Sequence, residues 1–266
     1  MYKILILAVV QGIAEFLPIS SSGHLIMIGA LLEELRSSVS ELSESPTLEI
    51  ILHAGTLGSI LVVFWKRILA LLTSDRRVLP LLVIGTVPAA IVGLTLKSQF
   101  SALLMNPSLA AGMLLVTGCM LLALGRLSQQ DGGYTELNWR AAVMIGCFQA
   151  FAILPGVSRS GSTILGGRLL GLKNEDSVTF SFLLAIPAIL GASLLALNDL
   201  WQQLSAGETL EFSIPELAIG AWVSFLVGLV ALTWLIGWSK KDRLHWFAWW
   251  CFPVGAWGLC HFNGLL

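Results

Sequence analysis

Two short stretches of the sequence carry polar side chains of the kinds that bind phosphate and transfer protons. The first, EFLPISSSGH, runs from Glu15 to His24, and the second, LPGVSRSGST, runs from Leu154 to Thr163. A carboxylate, hydroxyls, an imidazole and a guanidinium can together hold an anion, activate a nucleophile and move a proton. Both stretches interrupt apolar segments, so their polar groups are expected at membrane depth.

Spacing within the first stretch indicates how its groups could cooperate. Ser21 and His24 stand three residues apart on a helix that is predicted to begin within SSSGH, so they share a face. The imidazole could then take a proton from the hydroxyl or give one to a leaving oxygen. Gln11 and Glu15 lie one helical turn apart and offer hard oxygen ligands, which predicts a divalent cation bridging to phosphate oxygens.

Arg159 is the charge that most needs an explanation. A charge at the centre of a spanning helix costs about 2.5 to 3.5 kcal/mol on insertion scales, so Arg159 requires a partner. Its planar fork of donors fits phosphate or pyrophosphate better than chloride. The alternative is a structural ion pair with Glu15, and both can hold in the protein without substrate. For Ser20 and Ser158 the alternative is a role limited to capping a half-helix.

The composition is that of an integral membrane protein. Of the 266 residues, 56% are hydrophobic and only 12% are charged, and the mean hydropathy is +0.85. Soluble domains of this size are far less apolar. The formal net charge of -1 gives no indication of a nucleic-acid partner, and none is expected. The ten Trp, above all WFAWW at Trp246 to Trp250, are predicted to form an interfacial aromatic belt.

The elements that must position the two stretches are predicted from hydropathy. Six apolar runs are long enough to cross a membrane at roughly 20 residues per helix: Ile50 to Trp65, Val78 to Leu96, Pro107 to Gly125, Ser177 to Leu197, Pro215 to Trp238 and Leu244 to Leu265. Met1 to Leu32 and Ala141 to Gly171 are each broken in the middle by Pro, Gly and Ser, which predicts re-entrant hairpins. The predicted fold is an all-α polytopic membrane protein with six transmembrane helices and two re-entrant helical hairpins.

The charges between the apolar runs predict the orientation in the membrane. Basic residues mark two loops as cytoplasmic: Lys66, Arg67, Arg76 and Arg77 in one, and Lys240, Lys241 and Arg243 in the other. The opposite loops are acidic, with Glu33, Glu34, Glu41 and Glu44 in one and Asp199, Glu208 and Glu211 in the other. The first hairpin is then expected to enter from outside and the second from inside.

One hairpin followed by three spans occurs twice, within a single membrane domain. Because three is odd, the second copy (about 139–266) must be inverted relative to the first (about 1–126). A shift of 138 residues superimposes Gln11 on Gln149 and aligns the S-x-S-G motifs of the two tips. The two half-helices should begin near the midplane, so that their N-terminal ends converge on one anion site. Transporters share this plan, so a lipid flippase or an anion transporter is the alternative function.

The two motifs resemble those of the undecaprenyl-pyrophosphate phosphatase (bacitracin-resistance) family of bacterial membrane enzymes. MIGCFQ precedes the second motif and FSFLLAIP follows it, and the resemblance covers nearly the whole chain. It implies removal of the terminal phosphate from undecaprenyl pyrophosphate, which gives the monophosphate lipid that carries cell-wall precursors. The expected partners are this polyprenyl lipid and the membrane, with a homodimer as one alternative for the assembly.

The resemblance also implies roles for single residues. Ser21 is the expected nucleophile, His24 and Arg159 are expected to be essential, and Glu15 is expected to handle metal and phosphate. The predicted substrate-binding residues of the two motifs are Ser20, Ser22, Gly156, Ser158, Ser160 and Thr163. A divalent cation, Mg or Ca, is expected at Glu15 and Gln11, in a site open to the periplasmic face of the cytoplasmic membrane.

Two positions leave questions open. Gln11 stands where many family members have a second Glu, so metal binding should be weaker or depend more on the phosphates of the substrate. Glu49 and His53, one turn apart at the outer end of a span, could be a second metal or substrate contact. A structural hydrogen bond is the alternative for this pair.

Overall fold

The computed structural model describes residues 2–34, 46–205 and 212–265. In these ranges the regular structure is helical, and an isolated β-bridge joins Gly132 to Leu172. The α-helices are α1 (Tyr2–Ala14), α2 (Ser21–Glu34), α3 (Pro46–Val63), α4 (Trp65–Leu72), α5 (Val78–Gln99), α6 (Ser101–Leu104), α7 (Pro107–Arg126), α8 (Trp139–Phe151), α9 (Arg159–Leu169), α10 (Asn174–Ser205), α11 (Ile214–Lys240) and α12 (Ala248–Phe262).

Within the described ranges, four helices are long and apolar enough to cross a membrane: α5, α7, α10 and α11. A fifth crossing results if α3 and α4, whose axes are bent by 73° at Phe64, are counted as one span. The last helix, α12, has only 15 residues, contains Pro253 and follows a 3-10 turn at Leu244–Phe247. The chain is therefore an all-helical, multi-pass membrane protein, and the count of six spans stays a prediction.

Both predicted hairpins are broken where the sequence places proline. A proline disfavours helical conformation in the residue before it, and Pro18 and Pro155 lie in the gaps between α1 and α2 and between α8 and α9. The gap before α2 ends on Ser20, whose φ of 68° is left-handed, and the second gap contains Gly156 at φ 90°. The predicted helix starts, within SSSGH and around Ser160, are confirmed to within one residue.

The first arm of each hairpin packs against a long helix from the other half of the chain. α1 lies along α11, and α8 lies along α5. The second of these contacts is close because two glycines face each other, and a Cβ on Gly146 would collide with the carbonyl oxygen of Gly85. The two halves are therefore interleaved, which fixes the position of one tip relative to the other.

An aromatic cluster packs against the tips. The rings of Phe16 and Phe182 lie 5.7 Å apart, and those of Phe64 and Phe182 lie 5.8 Å apart. Phe16 and Phe182 are fully buried. Because Phe16 directly follows Glu15, this packing holds the chain of the first tip in place.

The structure brings together residues of the two loops that are predicted to be cytoplasmic, since Lys66, Arg67 and Lys240 line one surface groove. Of the predicted acidic loops, Glu41, Glu44, Glu208 and Glu211 lie outside the described residues, as do the side chains of Glu33, Glu34 and Asp199.

Candidate active site

The tips of the two hairpins are in direct contact. A Cβ placed on Gly23 would lie 2.8 Å from the Cα of Gly156, so position 23 has no room for a side chain. On the other side of the contact, a Cβ on Gly161 would lie 3.4 Å from the Cβ of Pro18. The hydroxyl of Ser160 crosses the junction and donates to the carbonyl of Phe16 at 3.2 Å.

The S-x-S-G motifs make the same cap hydrogen bonds at both tips, although φ is 68° at Ser20 and -74° at Ser158. The Ser20 hydroxyl accepts a hydrogen bond from the Gly23 N–H at 3.3 Å, and the Ser158 hydroxyl accepts one from the Gly161 N–H at 3.1 Å. The second serine of each motif has its hydroxyl oxygen 3.3 Å or 3.2 Å from that of the first. Ser20 and Ser158 are buried and cap their half-helices, and their contact with a substrate stays a prediction.

The buried carboxylate of Glu15 is the centre of the site. The Ser21 hydroxyl donates to its Oε2 at 2.8 Å, and Nη2 of Arg159 donates to its Oε1 at 2.5 Å. The side-chain amide of Gln11 donates to Oε2 at 3.2 Å, and Nε2 of His53 lies 3.7 Å from the same oxygen. The predicted nucleophile, carboxylate and guanidinium thus form one connected group, although Arg159 is 144 residues from Glu15 in sequence.

Two buried polar atoms of this group have no hydrogen-bond partner among the described residues, namely Nη1 of Arg159 and Oε1 of Gln11. Buried polar atoms are normally paired, so an unpaired donor and an unpaired acceptor indicate that a ligand completes the site. Nη1 suits an anionic oxygen, and Oε1 beside the Glu15 carboxylate suits a hard cation.

The side chains fit a divalent cation only as part of a larger ligand set. No group of three or more His, Cys, Asp or Glu in the described part of the chain is placed to hold a metal ion. Glu15 and Gln11 offer oxygens of the right kind, but the remaining ligands would have to come from the substrate or from water. Metal binding that depends on the phosphates of the substrate therefore stays a prediction.

His24 has a different partner from the one that its spacing predicted. The indole N–H of Trp250 donates to Nε2 of His24 at 2.9 Å, so this nitrogen is an acceptor. The proton of the neutral ring is then on Nδ1, which lies 2.7 Å from the carbonyl oxygen of Ser20. Both ring nitrogens are engaged away from Ser21, and Glu15 accepts the hydrogen bond of the serine instead.

Sequence reasoning did not find Trp250. The run WFAWW predicts only an interfacial belt, and for Trp250 this prediction is incomplete. The indole ring stacks on the His24 imidazole, with ring centroids 6.2 Å apart and planes 13° apart. The side chain is still half-exposed, so Trp250 serves both the site and the surface.

The second tip is held by hydrogen bonds to Thr117 in α7. The Thr117 hydroxyl donates to the carbonyl of Gly156 at 2.7 Å and accepts from the N–H of Ser158 at 3.0 Å. Thr117 was also missed, since a threonine inside an apolar run gives no signal of this contact. Gly156 is required here because its φ is left-handed and a Cβ would collide with the carbonyl of Ala110.

The predicted substrate-binding residues are not equally accessible. Thr163 is buried, and its hydroxyl contacts the Ser181 hydroxyl at 2.6 Å and the carbonyl of Arg159 at 2.9 Å. Ser22 is exposed, and the Arg159 side chain is 18% exposed. His53 is placed near Glu15 as described above, whereas the side chain of Glu49 lies outside the described part of the structure.

Fold and site together define a multi-pass membrane protein with a buried polar centre that suits hydrolysis of a phosphate ester or anhydride. The chain belongs to the bacitracin resistance protein BacA family, whose model matches residues 4–257. It is 66% identical over 253 residues to an undecaprenyl-diphosphatase of Rhodopirellula baltica, covering 95% of both chains. Undecaprenyl-diphosphatases of Desulfatibacillum aliphaticivorans and Alkaliphilus metalliredigens are 35% and 36% identical, each with 96% of both chains covered. The predicted family is confirmed.

Proposed function

We propose that the chain hydrolyses undecaprenyl pyrophosphate to undecaprenyl phosphate and phosphate, and so confers bacitracin resistance and supplies the carrier lipid of peptidoglycan synthesis. The three relatives described above are named undecaprenyl-diphosphatases, and this name states the same activity. The observation that carries the proposal is the single carboxylate of Glu15 that binds the Ser21 hydroxyl through one oxygen and Arg159 through the other. Binding an anion alone would not need the carboxylate, which repels an anion.

Ser21 is the proposed nucleophile. Its oxygen attacks the terminal phosphorus while its proton passes to Oε2 of Glu15, to which it is already hydrogen-bonded. The bond from phosphorus to the bridging oxygen breaks, and undecaprenyl phosphate leaves. Water then attacks the phosphoserine, phosphate departs, and the proton returns to the serine oxygen. Direct attack by water, with Ser21 only a ligand, is the alternative, and phosphate trapped on Ser21 distinguishes the two.

Arg159 provides the positive charge for the phosphate oxygens. Its Nη2 neutralises Glu15, and its buried, unpaired Nη1 is available to the terminal phosphate. The N-terminal ends of α2 and α9 meet at the same junction and favour negative charge there. Because Ser22 is exposed, we assign it a direct contact with the substrate. The other predicted substrate-binding residues then act mainly by holding the tips: Ser20, Gly156, Ser158, Ser160 and Thr163.

His24 is proposed to position the nucleophile. Its Nδ1–H group holds the carbonyl of Ser20, whose left-handed backbone directly precedes Ser21. A divalent cation, Mg or Ca, would be held by Glu15 and Oε1 of Gln11. When bound, it would neutralise charge on the pyrophosphate.

We further propose six spans and two re-entrant hairpins, arranged as two inverted repeats within one membrane domain. The repeat is supported by the equivalent cap hydrogen bonds of the two S-x-S-G motifs. It is also supported by the reciprocal pairing of α1 with α11 and of α8 with α5. The shift of 138 residues maps Gly23 onto Gly161 and Pro18 onto Gly156, so the contact of Gly23 with Gly156 is equivalent to that of Gly161 with Pro18.

The site is proposed to open to the periplasmic face of the bacterial inner membrane. His53, which lies near Glu15, is in the half of α3 that begins at Pro46, whereas the predicted cytoplasmic residues Lys66 and Arg67 follow the other end of this helix. A homodimer remains a prediction, and light scattering of the purified protein in detergent would test it.

Phosphate release from undecaprenyl pyrophosphate by the purified protein tests the function. Release should require Mg or Ca, stop with EDTA, and fall about 1000-fold or more in Ser21→Ala and Arg159→Ala. Ser98→Ala and Arg126→Ala, on exposed ends of α5 and α7, are matched controls that should keep full activity. A folded wild-type protein that releases no phosphate in either metal would refute the proposal and favour lipid or anion transport.

A further inference from the structure

A groove on the face that is predicted to be cytoplasmic is lined by none of the catalytic residues. It has a volume of about 420 Å³ and lies where the bend between α3 and α4 meets the first turns of α10 and the end of α11. We call it the basic groove because three of the four charged side chains that line it are cations: Lys66, Arg67 and Lys240, against Glu175.

The charge of the basic groove suits an anion with one or two negative charges. The three cationic side chains are exposed, and with Glu175 they leave an excess of two positive charges. They come from two segments that are far apart in sequence, so the fold brings cations of both predicted cytoplasmic loops to one groove. A monoanionic or dianionic phosphate group would match this excess.

The apolar part of the basic groove suits a lipid. Val63, Phe64 and Ile236 line it beside the cations, and the side chain of Trp65 is 53% exposed. After the 73° bend, α4 no longer follows the direction of α3, and it exposes Leu69 and Leu72. A helix with Lys, Arg and Trp at one end and exposed leucines is typical of the membrane interface, where lipid headgroups lie.

One buried hydroxyl among the residues that line the basic groove has no hydrogen-bond partner in the described part of the structure. Ser239 lines the groove and is only 1% exposed, and its hydroxyl oxygen has no hydrogen-bond partner among the described residues. A buried hydroxyl without a partner is costly, and a phosphate oxygen in the groove would accept its hydrogen. This observation is independent of the surface charge.

We propose that the basic groove binds the phosphodiester headgroup of an anionic phospholipid. Lys66, Arg67 and Lys240 hold the phosphate with the Ser239 hydroxyl, and an acyl chain lies along Val63 and Ile236. Basic pockets between transmembrane helices on the cytoplasmic side are a recurring form of lipid-headgroup site. The groove is close to the active site without being part of it, since Phe64 lines it and stacks on Phe182, whose ring is 6.0 Å from the Arg159 guanidinium.

Thermal unfolding of the delipidated protein in detergent tests the proposal, with dioleoylphosphatidylglycerol titrated against dioleoylphosphatidylcholine. A ligand that binds only the folded state raises the unfolding midpoint with its concentration. Phosphatidylglycerol should raise the midpoint, and phosphatidylcholine should not. Inorganic phosphate is also expected to bind at Arg159, so any shift that it causes should be the same in Lys66→Gln/Lys240→Gln as in the wild type. A phosphate shift that is lost in this variant would indicate a free-phosphate site in the groove and would contradict a lipid site. Equal shifts with the two lipids would overturn the proposal.

Charge-removing variants localise the binding. The double variant Lys66→Gln/Lys240→Gln should bind phosphatidylglycerol about 30-fold more weakly. Lys241→Gln is the matched control, because Lys241 is exposed beside Lys240 but does not line the groove. Both proteins should keep phosphate release, which reports an intact fold. An equal loss in Lys241→Gln would indicate diffuse attraction to the surface and would contradict a built site.

Ser239→Ala gives a second test that does not depend on surface charge. Removing an unpaired buried hydroxyl should leave the midpoint without lipid unchanged or higher, while the shift with phosphatidylglycerol becomes smaller. A merely structural serine would lower the midpoint with and without lipid alike, and that result would also contradict the proposal. Ser239→Ala therefore carries the test even if the double lysine variant does not fold.

Discussion

Trp250→Phe tests whether the orientation of the His24 ring matters for catalysis, because it changes the hydrogen bonding of the imidazole without removing it. The phenyl ring can still stack on the imidazole, but the N–H donor that lies 2.9 Å from Nε2 is lost. Nε2 is then free to take the ring proton, and in that tautomer Nδ1 can no longer donate to the carbonyl of Ser20. The left-handed backbone before the nucleophile loses the contact that holds it.

The expected size of the effect follows from the contacts that change. One neutral, partly buried hydrogen bond contributes about 1 kcal/mol, which is about fivefold in a population or a rate. If the tautomer change also removes the Ser20 contact, a second hydrogen bond of about 1 kcal/mol is at stake. We therefore expect kcat to fall by about 5- to 30-fold, with little change in KM, because neither ring is assigned to hold the substrate.

The assay is phosphate release at saturating and at limiting undecaprenyl pyrophosphate, with thermal unfolding measured on the same samples. Trp249→Phe is the matched control, since Trp249 is the neighbouring residue, is 71% exposed and has the same ring chemistry. Trp249→Phe should leave kcat unchanged. If Trp250→Phe behaves like Trp249→Phe, the contact with His24 has no part in positioning Ser21, and the reasoning is refuted.

Three further predictions concern the centre of the site. Glu15→Gln should abolish phosphate release and lower the unfolding midpoint, because Arg159 is left without its counter-charge. Adding Arg159→Gln should restore the midpoint but not the activity. Losses of stability that simply add in the double variant would contradict the pairing. Gly23→Ala should lower both activity and stability, because its Cβ would lie 2.8 Å from the backbone of the facing tip, whereas Gly29→Ala on the same helix meets nothing within 4 Å and should have no effect on activity. EDTA should stop the reaction reversibly, and Gln11→Glu should lower the metal concentration that restores it; an unchanged metal requirement would place the cation elsewhere.

The parts of the fold that could be predicted are those that depend on neighbouring residues in the chain. Proline in each tip interrupts the first helix, and a serine three residues before a glycine caps the helix that follows. The starts of α2 and α9 can therefore be predicted from the sequence. The ion pair of Glu15 with Arg159 was also predicted as an alternative, because an intramembrane charge requires a partner.

The parts that could not be predicted depend on contacts between distant segments. Trp250 lies 226 residues from His24, and nothing in WFAWW indicates which of its rings turns inward. The length of an apolar run likewise does not report a bend, so the run Ile50 to Trp65 gave no warning of the break at Phe64. Hydropathy gives the amount of apolar sequence, whereas the number of crossings depends on where helices break.

The proposed repeat explains why one symmetric scaffold can hold an asymmetric reaction centre. Ser21 and Arg159 are the first residues of their half-helices and are related by the shift of 138 residues, and both bind the same carboxylate. The position related to Glu15 is Ile153, which is apolar. A second carboxylate there would repel a pyrophosphate and would compete for the single guanidinium. The symmetry therefore supplies two helix ends that face each other, and catalysis requires that the residues on those ends differ.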